Sequence, residues 1–596
     1  MFRHIIDNKD DMEHDMTCNE RINSEQYGEF LLNRPFNPLV RQEYPELQQD
    51  TTDYCYVKID GDIGVVYLNR AEIGSLTIPP FSYQGIPKVY GLMQQSAVSG
   101  TTFDPLSLIN SGITSVQQEP LALTGEGVVV AFLDTGINYT SEVFKKPDGS
   151  SRILAIWDQT ITNGDAPEGF LYGAEYTREN INEALRAEEP FEVVPSVDEN
   201  GHGTAMASVA AGSRLEEGNT FLGAAPEADI LVVKLRECKQ YLRDYYLIPE
   251  EVPCYSEVDI LFALKYISNF LIPFKRPVVI CIGLGTSMGS HRGTSILSDY
   301  LNTLSEKRNM SVVVCGGNEG NMARHYEAIL DTGGERRIDE VEIRVGERNE
   351  NTRGFVMEIW GTVPAVFTMS VRSPGGERTP VVNYRIPQSV VYRFVYDKTI
   401  LRVDYVLVEQ GSGEQLILLR FQDPTPGIWT VTLTNESETI EAPVHIWLPI
   451  EDFLPNTTNF LRPSPYTTIT EPGFTGKVIT TSTYNDRDDS FYIASGRGWG
   501  RGGELKPDFA APGVMVSTVL GDRTGAGIAS AITAGAVAQF MQWAVLQNND
   551  PWVNNENVKS YFLRGASRED DVTYPNREFG FGLLNLQGVF DSLAEQ

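Results

Sequence analysis

Four runs of continuous apolar residues constrain this chain more than any other feature. VVVAFLDTGI, ADILVVKL, PVVICIGLG and SVVVCGGN lack the alternation of a sheet with one wet face. Runs of this form fit strands buried on both faces, as in parallel sheets. Helix-like stretches at residues 202–212, 256–270 and 296–306 lie among them. This order predicts an α/β fold built on a doubly wound, mostly parallel sheet. Ligands of such sheets bind beyond the carboxyl ends of the strands, so polar residues at those ends matter first.

Other segments follow different rules. Residues 1–95 read as a small α+β leading domain, with weak helical periodicity over 20–33 and a hairpin in CYVKIDGDIGVVYL. Residues 96–124 form a connector with a short helix, and the core's first part runs over 96–333. Between 334 and 450 come eight short alternating strands, with turns such as SPGGE and GSGE and no helix. That pattern predicts an inserted antiparallel β-sandwich or jelly roll. The core resumes over 451–596 with KVITTSTYN and a helix over 527–547.

Composition excludes some partners. With 48 Lys+Arg against 80 Asp+Glu, the net charge of −32 repels polyanions, so no nucleic-acid partner is expected. The six cysteines show neither CxxC nor zinc-ligand spacing; they read as reduced and structural, and no metal or cofactor is expected. The start, MFRHIIDNKDD, lacks a signal-peptide core, and no run approaches 18 apolar residues. The expectation is a cytoplasmic or spore-associated protein without a membrane span. Oligomeric state is not legible.

Three polar residues stand at the ends of the apolar runs or just before a small-residue helix. They are Asp134 in FLDTG, His202 in DENGHGTAMASVAAG and Asn318 in VVVCGGNEGN. Singly, each reads as a turn residue, a structural histidine or a loop cap. Together, with LGAAPEADILVVKL and TGAGIASAITAGAVA, they resemble the subtilisin-like serine peptidases, the subtilases of the S8 family. The resemblance covers roughly residues 120–335 and 450–590. It implies that Asp134 orients His202, that His202 is the general base, and that Asn318 donates to an oxyanion. It also implies that Gly283, Leu284 and Gly285 form an edge that pairs with an extended substrate. The departure is at the nucleophile. Where the family has Gly-Thr-Ser, this sequence has Gly525-Ala526-Gly527, so Gly527 takes the serine position. A slipped register would use Ser530, about one helical turn deeper and pointing away from His202.

The row LTGEGVVVAFLDTGINYTSEVFKKPDGSSRILAIWDQTI resembles the Csp group, clostridial subtilases associated with spore germination. That resemblance implies a prodomain, a subtilase core and an inserted jelly roll. It also implies either a protease that processes a cortex-lytic hydrolase zymogen or a member that has lost triad residues and regulates. The expected function is an inactive pseudoprotease with a protein partner. Two alternatives stand beside it: an active endopeptidase whose nucleophile is misplaced or replaced, and a binding scaffold built on the jelly roll. The prodomain tail, including Met93, Gln94, Gln95 and Ser96, is expected in the groove, with the bond near Gln95–Ser96 over the site.

Overall fold

The computed structural model describes residues 16–33, 55–73, 76–78, 81–93, 96–98, 103–215, 220–271, 275–333, 337–347, 353–383, 389–437, 440–455 and 457–595. The four apolar runs all become strands of one sheet. Its central order is Ile479–Asn485, Met310–Cys315, Val278–Ile282, Val129–Asp134, Asp229–Lys234 and Ile153–Asp158, every neighbouring pair parallel. Antiparallel strands Ala174–Thr177 and Ser490–Phe491 close the two ends. Val129–Asp134 and Met310–Cys315 are buried along their whole length. Helices cover both faces, which accounts for the missing alternation. His202–Ala211 and Ala526–Met541 pack on one face, Glu257–Leu271 and Ile296–Ser305 on the other.

Ala526–Met541 is buried at every residue. Its alanines and glycines permit close approach: a Cβ on Gly535 would lie 2.4 Å from the Ala224 Cβ. Continued by Gln542–Leu546, it is long and apolar enough to cross a membrane, with 89% of that window buried inside the protein. Ser530, Thr533, Gln539 and Gln542 interrupt it, so it is no unbroken apolar run, and its apolarity serves the core.

The leading domain differs from expectation in two ways. The helix stops at Asn23, started by a capping box of Thr17 and Glu20. Residues Tyr27–Leu32, expected within that helix, form a strand against Ile63–Asn69, which also pairs with Cys55–Asp60. Strand pairing and burial of this segment prevail over its weak helical periodicity. The second correction is Cys18–Cys55, which are disulfide-bonded rather than reduced and fasten the helix to the first hairpin strand. Cys238, Cys254, Cys281 and Cys315 are buried free thiols.

The eight expected insert strands all form. They divide between a six-stranded and a four-stranded antiparallel sheet, with an apolar layer between them. The insert begins earlier than residue 334. HYEAIL forms the strand His325–Leu330, which pairs along its length with Ala442–Trp447. A ninth strand was therefore hidden in the core assignment, and a tenth, Asn459–Phe460 beside Ile338–Val345, in the resumed core, because the pairing partner of each lies far along the chain. Closed in this way, the insert should resist limited proteolysis in the native protein. Early release of fragments from 334–450, seen by mass spectrometry, would contradict that.

Candidate active site

The sheet delivers Asp134 at the end of Val129–Asp134, while His202 opens the helix His202–Ala211. His202 Nδ1 lies 2.7 Å from Asp134 Oδ1, and both residues are almost wholly buried. The turn after Asp134 passes close to the start of that helix. A Cβ on Gly203 would come within 2.2 Å of the Gly136 carbonyl, so the Gly-His-Gly row is steric necessity. Asp198, which sequence reasoning missed, holds this turn by accepting from the Thr135 and Thr204 hydroxyls at 2.7 and 2.6 Å. Burial pulls the His202 imidazole down, but the Asp134 carboxylate beside it, aided by Asp198 and Asp452, sets it above the usual value.

Gly527 is the second residue of Ala526–Met541. A Cβ there would stand 3.1 Å from His202 Nε2, 3.2 Å from the Met93 carbonyl oxygen and 3.3 Å from Met206 Sδ. Ser530 is elsewhere. It sits one turn inside the buried helix, and its hydroxyl donates to the Gly527 carbonyl at 2.7 Å. A helix leaves its first N–H groups without intrahelical acceptors. Here the Ala526 N–H donates to Asn318 Oδ1 at 3.0 Å, and the Gly527 N–H donates to the Met93 carbonyl at 2.9 Å. The first contact anchors the oxygen end of the Asn318 amide, whose nitrogen is its donor end.

The chain's own residues run through the groove. Val89–Leu92 lies between two edges, antiparallel to Leu284–Gly285 and to Tyr255–Ser256. Leu92 stands opposite Leu284, Gly91 opposite Gly285, and the Met93 N–H donates to the Gly283 carbonyl at 3.0 Å. Gly283 has no room for a side chain, since a Cβ would meet Met206 Sδ at 2.4 Å and His202 Cε1 at 3.0 Å. The Met93 side chain is buried against Gly285, its Cε 3.2 Å from where a Cβ of that glycine would be. Beyond the site, Ser96–Val98 pairs antiparallel with Gly521–Thr524.

Thus the carbonyl at the site belongs to Met93, not to Gln95. The expected bond near Gln95–Ser96 is corrected by two residues, because strand register, not composition, fixes which carbonyl meets the helix N-terminus. Gln94 and Gln95 themselves lie outside the described residues. The Tyr255–Ser256 edge and the Gly521–Thr524 strand were also missed; each is too short to show a period. Among the described residues, no metal-ligating cluster lies in the groove. The one such cluster is at the root of the insert.

The family model described as the Subtilase family, Peptidase S8, matches residues 125–339. The chain is 27% identical over 237 residues to "Subtilisin-like protease SBT3.6" of Arabidopsis thaliana, covering 37% of this chain and 28% of that protein. It is 32% identical over 160 residues to "Subtilisin-like protease SBT2.2" of the same plant, covering 23% and 18% respectively. The chain therefore spans well under a third of the length of these relatives. Among solved structures, the Clostridium perfringens CspB protease matches with TM-score 0.72 and 28% identity, over 82% of this chain and 97% of that one.

Proposed function

We infer the function from one premise: this chain carries a subtilase domain of the peptidase S8 family. The geometry best supports a pseudoprotease, a subtilase site without a nucleophile whose groove is filled by its own prodomain tail. The observation that carries this is Gly527. The position beside His202 Nε2, where a hydroxyl would have to start, holds a hydrogen atom in place of a side chain.

In this reading the rest of the machinery persists. Asp134 fixes His202 through Nδ1, so that Nε2 faces the missing hydroxyl. The Gly527 N–H and the Asn318 amide are the donors that would stabilise an oxyanion. Gly283, Leu284 and Gly285 hold the substrate strand. The Met93 carbonyl is polarised but no oxygen attacks it, so the prodomain stays joined to the core. A tethered occupant has an effective concentration in the millimolar range or above, and free peptides compete poorly.

What remains is binding. We assign the chain a regulatory role exercised on a protein partner, in a cytoplasmic or spore-associated setting. The likeness to the CspB protease and the Csp-type motifs favour spore germination as its context. A fluorophosphonate probe tests the inactivity, because it labels an activated serine in any register. The expected result is no labelling of the purified chain, whose intact mass remains that of the full sequence. Labelling that disappears in His202→Ala would establish an active protease instead.

A further inference from the structure

Two histidines and a glutamate converge where the insert leaves and rejoins the core. Strand register puts them there. His325 and Glu327 are two residues apart on one strand, so their side chains share a face. His445 stands directly opposite Glu327 on the neighbouring strand. His325 Nε2 is 3.0 Å from His445 Nδ1, and Glu327 Oε2 is 3.9 Å from that same Nδ1. One ligand atom from each of the three falls within 4.8 Å of the others.

That spacing suits a shared ion. Two nitrogens each about 2.0–2.1 Å from a tetrahedral centre stand about 3.3 Å apart, a few tenths of an ångström beyond the present separation. The surroundings hold the ligands in place. His325 is buried and stacks on Trp447 with ring centroids 4.6 Å apart, while the Ser464 hydroxyl donates to Glu327 Oε1 at 2.8 Å. Such outer contacts orient ligands in known metal sites. Arg501, a cation that acts on both rings, is itself paired with Glu414 at 2.6 Å. Glu327 lies at the surface, which gives an ion a way in.

We propose that His325, Glu327 and His445 bind a divalent transition-metal ion of the zinc class, with water completing its coordination. Two imidazoles and one carboxylate select zinc, cobalt or nickel over calcium or magnesium, which prefer all-oxygen sites. The ion is structural. It clips the first strand of the insert to Ala442–Trp447 and closes a loop of 120 residues at its root.

The test uses the full chain without an affinity tag, freed of metal by chelation, and zinc chloride as the ligand. Calorimetry should show one equivalent bound through this site, with a Tm that rises by a few degrees and saturates at that stoichiometry. Cobalt should give visible absorption bands of a four-coordinate centre. His445→Asn and Glu327→Ala should each weaken zinc binding at least tenfold, while Glu342→Ala at a separate surface position should not. Glu327→Ala decides the matter if His445→Asn fails to fold, because its side chain is not part of the core. No stoichiometric zinc, or binding equally tight in Glu327→Ala and the parent chain, would overturn the site.

Discussion

Gly527→Ser should give a chain that cuts itself after Met93, where the parent chain is expected to stay whole. The expected product on a denaturing gel is a fragment ending at Met93 and a second one whose N-terminal sequence begins at Gln94. The attacking distance is nearly set. The added Cβ would lie 3.2 Å from the Met93 carbonyl oxygen, which already accepts from the Gly527 N–H. A serine hydroxyl would attack the Met93 carbonyl carbon as His202 takes its proton. His202 would then return that proton to the Gln94 amine as the peptide bond breaks, and a water deprotonated by His202 would hydrolyse the ester left between Met93 and the new serine, which regains its proton. Loss of the serine in subtilisin costs about 10⁶ in turnover, so restoring a thousandth of that would still be visible overnight.

Recovery should be partial. Cβ distances of 3.1 Å to His202 Nε2 and 3.3 Å to Met206 Sδ are tight, so both side chains must move by a few tenths of an ångström. The cleavage rate should rise with pH. Only neutral imidazole accepts a proton, and Asp134, Asp198 and Asp452 hold the His202 imidazolium above its usual range. The half-maximal rate should therefore fall above the ordinary histidine value. The double variant Gly527→Ser with His202→Ala should remain intact. A folded single variant that never cleaves would mean the site has drifted by more than one side chain.

What the sequence revealed here, and what it hid, follows from the range of the interactions. The buried parallel strands were legible because two-sided burial writes itself into consecutive residues, as in Val129–Asp134. Asp134, His202 and Gly527 could be singled out from their glycine-rich surroundings, and the fold brings the three together. Register could not be read. Whether Met93 or Gln95 meets the helix N-terminus depends on pairing with Leu284–Gly285, some 190 residues away by the numbering. The same holds for the Cys18–Cys55 bond, for the strand His325–Leu330 and for the His325–His445 contact. Each depends on partners that no local pattern names.

Glu29→Ala should be among the most destabilising single changes in the chain, although Glu29 touches neither His202 nor Gly527. It belongs to the strand Tyr27–Leu32 of the leading domain and is fully buried. Its carboxylate accepts from the Ser256 hydroxyl at 2.6 Å and faces Arg236 at 3.6 Å. Arg236 is also paired with Asp259 at 2.9 Å, and Lys239 donates to the Tyr27 carbonyl at 3.0 Å. Glu29 of the leading domain thus completes, with Asp259, Arg236 and Lys239 of the core, a buried group of two acids and two bases at the boundary. Removing Glu29 leaves two buried cations with one carboxylate, and breaking a buried pair in this way costs about 3–5 kcal/mol. Ser256 also pairs with Val89 of the tail, so the loss should loosen the groove occupant as well.

The pH dependence separates this from ordinary cavity formation. Burial pulls Lys239 down to about 8, below its value in an unfolded chain, and Glu29 opposes that pull. As pH rises past about 8, Lys239 loses its proton in the folded state and the attraction to Glu29 goes with it. The part of the gap that Lys239 carries should then be lost, while Arg236, which stays charged, keeps the rest. In acid the gap should not close: burial, then Asp259, raises Glu29, so the folded parent holds a proton that its unfolded chain has already released, which favours the folded state as pH falls. The stability gap, measured by urea unfolding, should therefore narrow as pH rises from acid past about 8. Glu250→Ala, which removes an exposed partner of Arg353, should cost under about 1 kcal/mol and show no such pH dependence. If Glu29→Ala were as mild as that control, packing alone would hold the leading domain on the core, and the charges would be incidental to it.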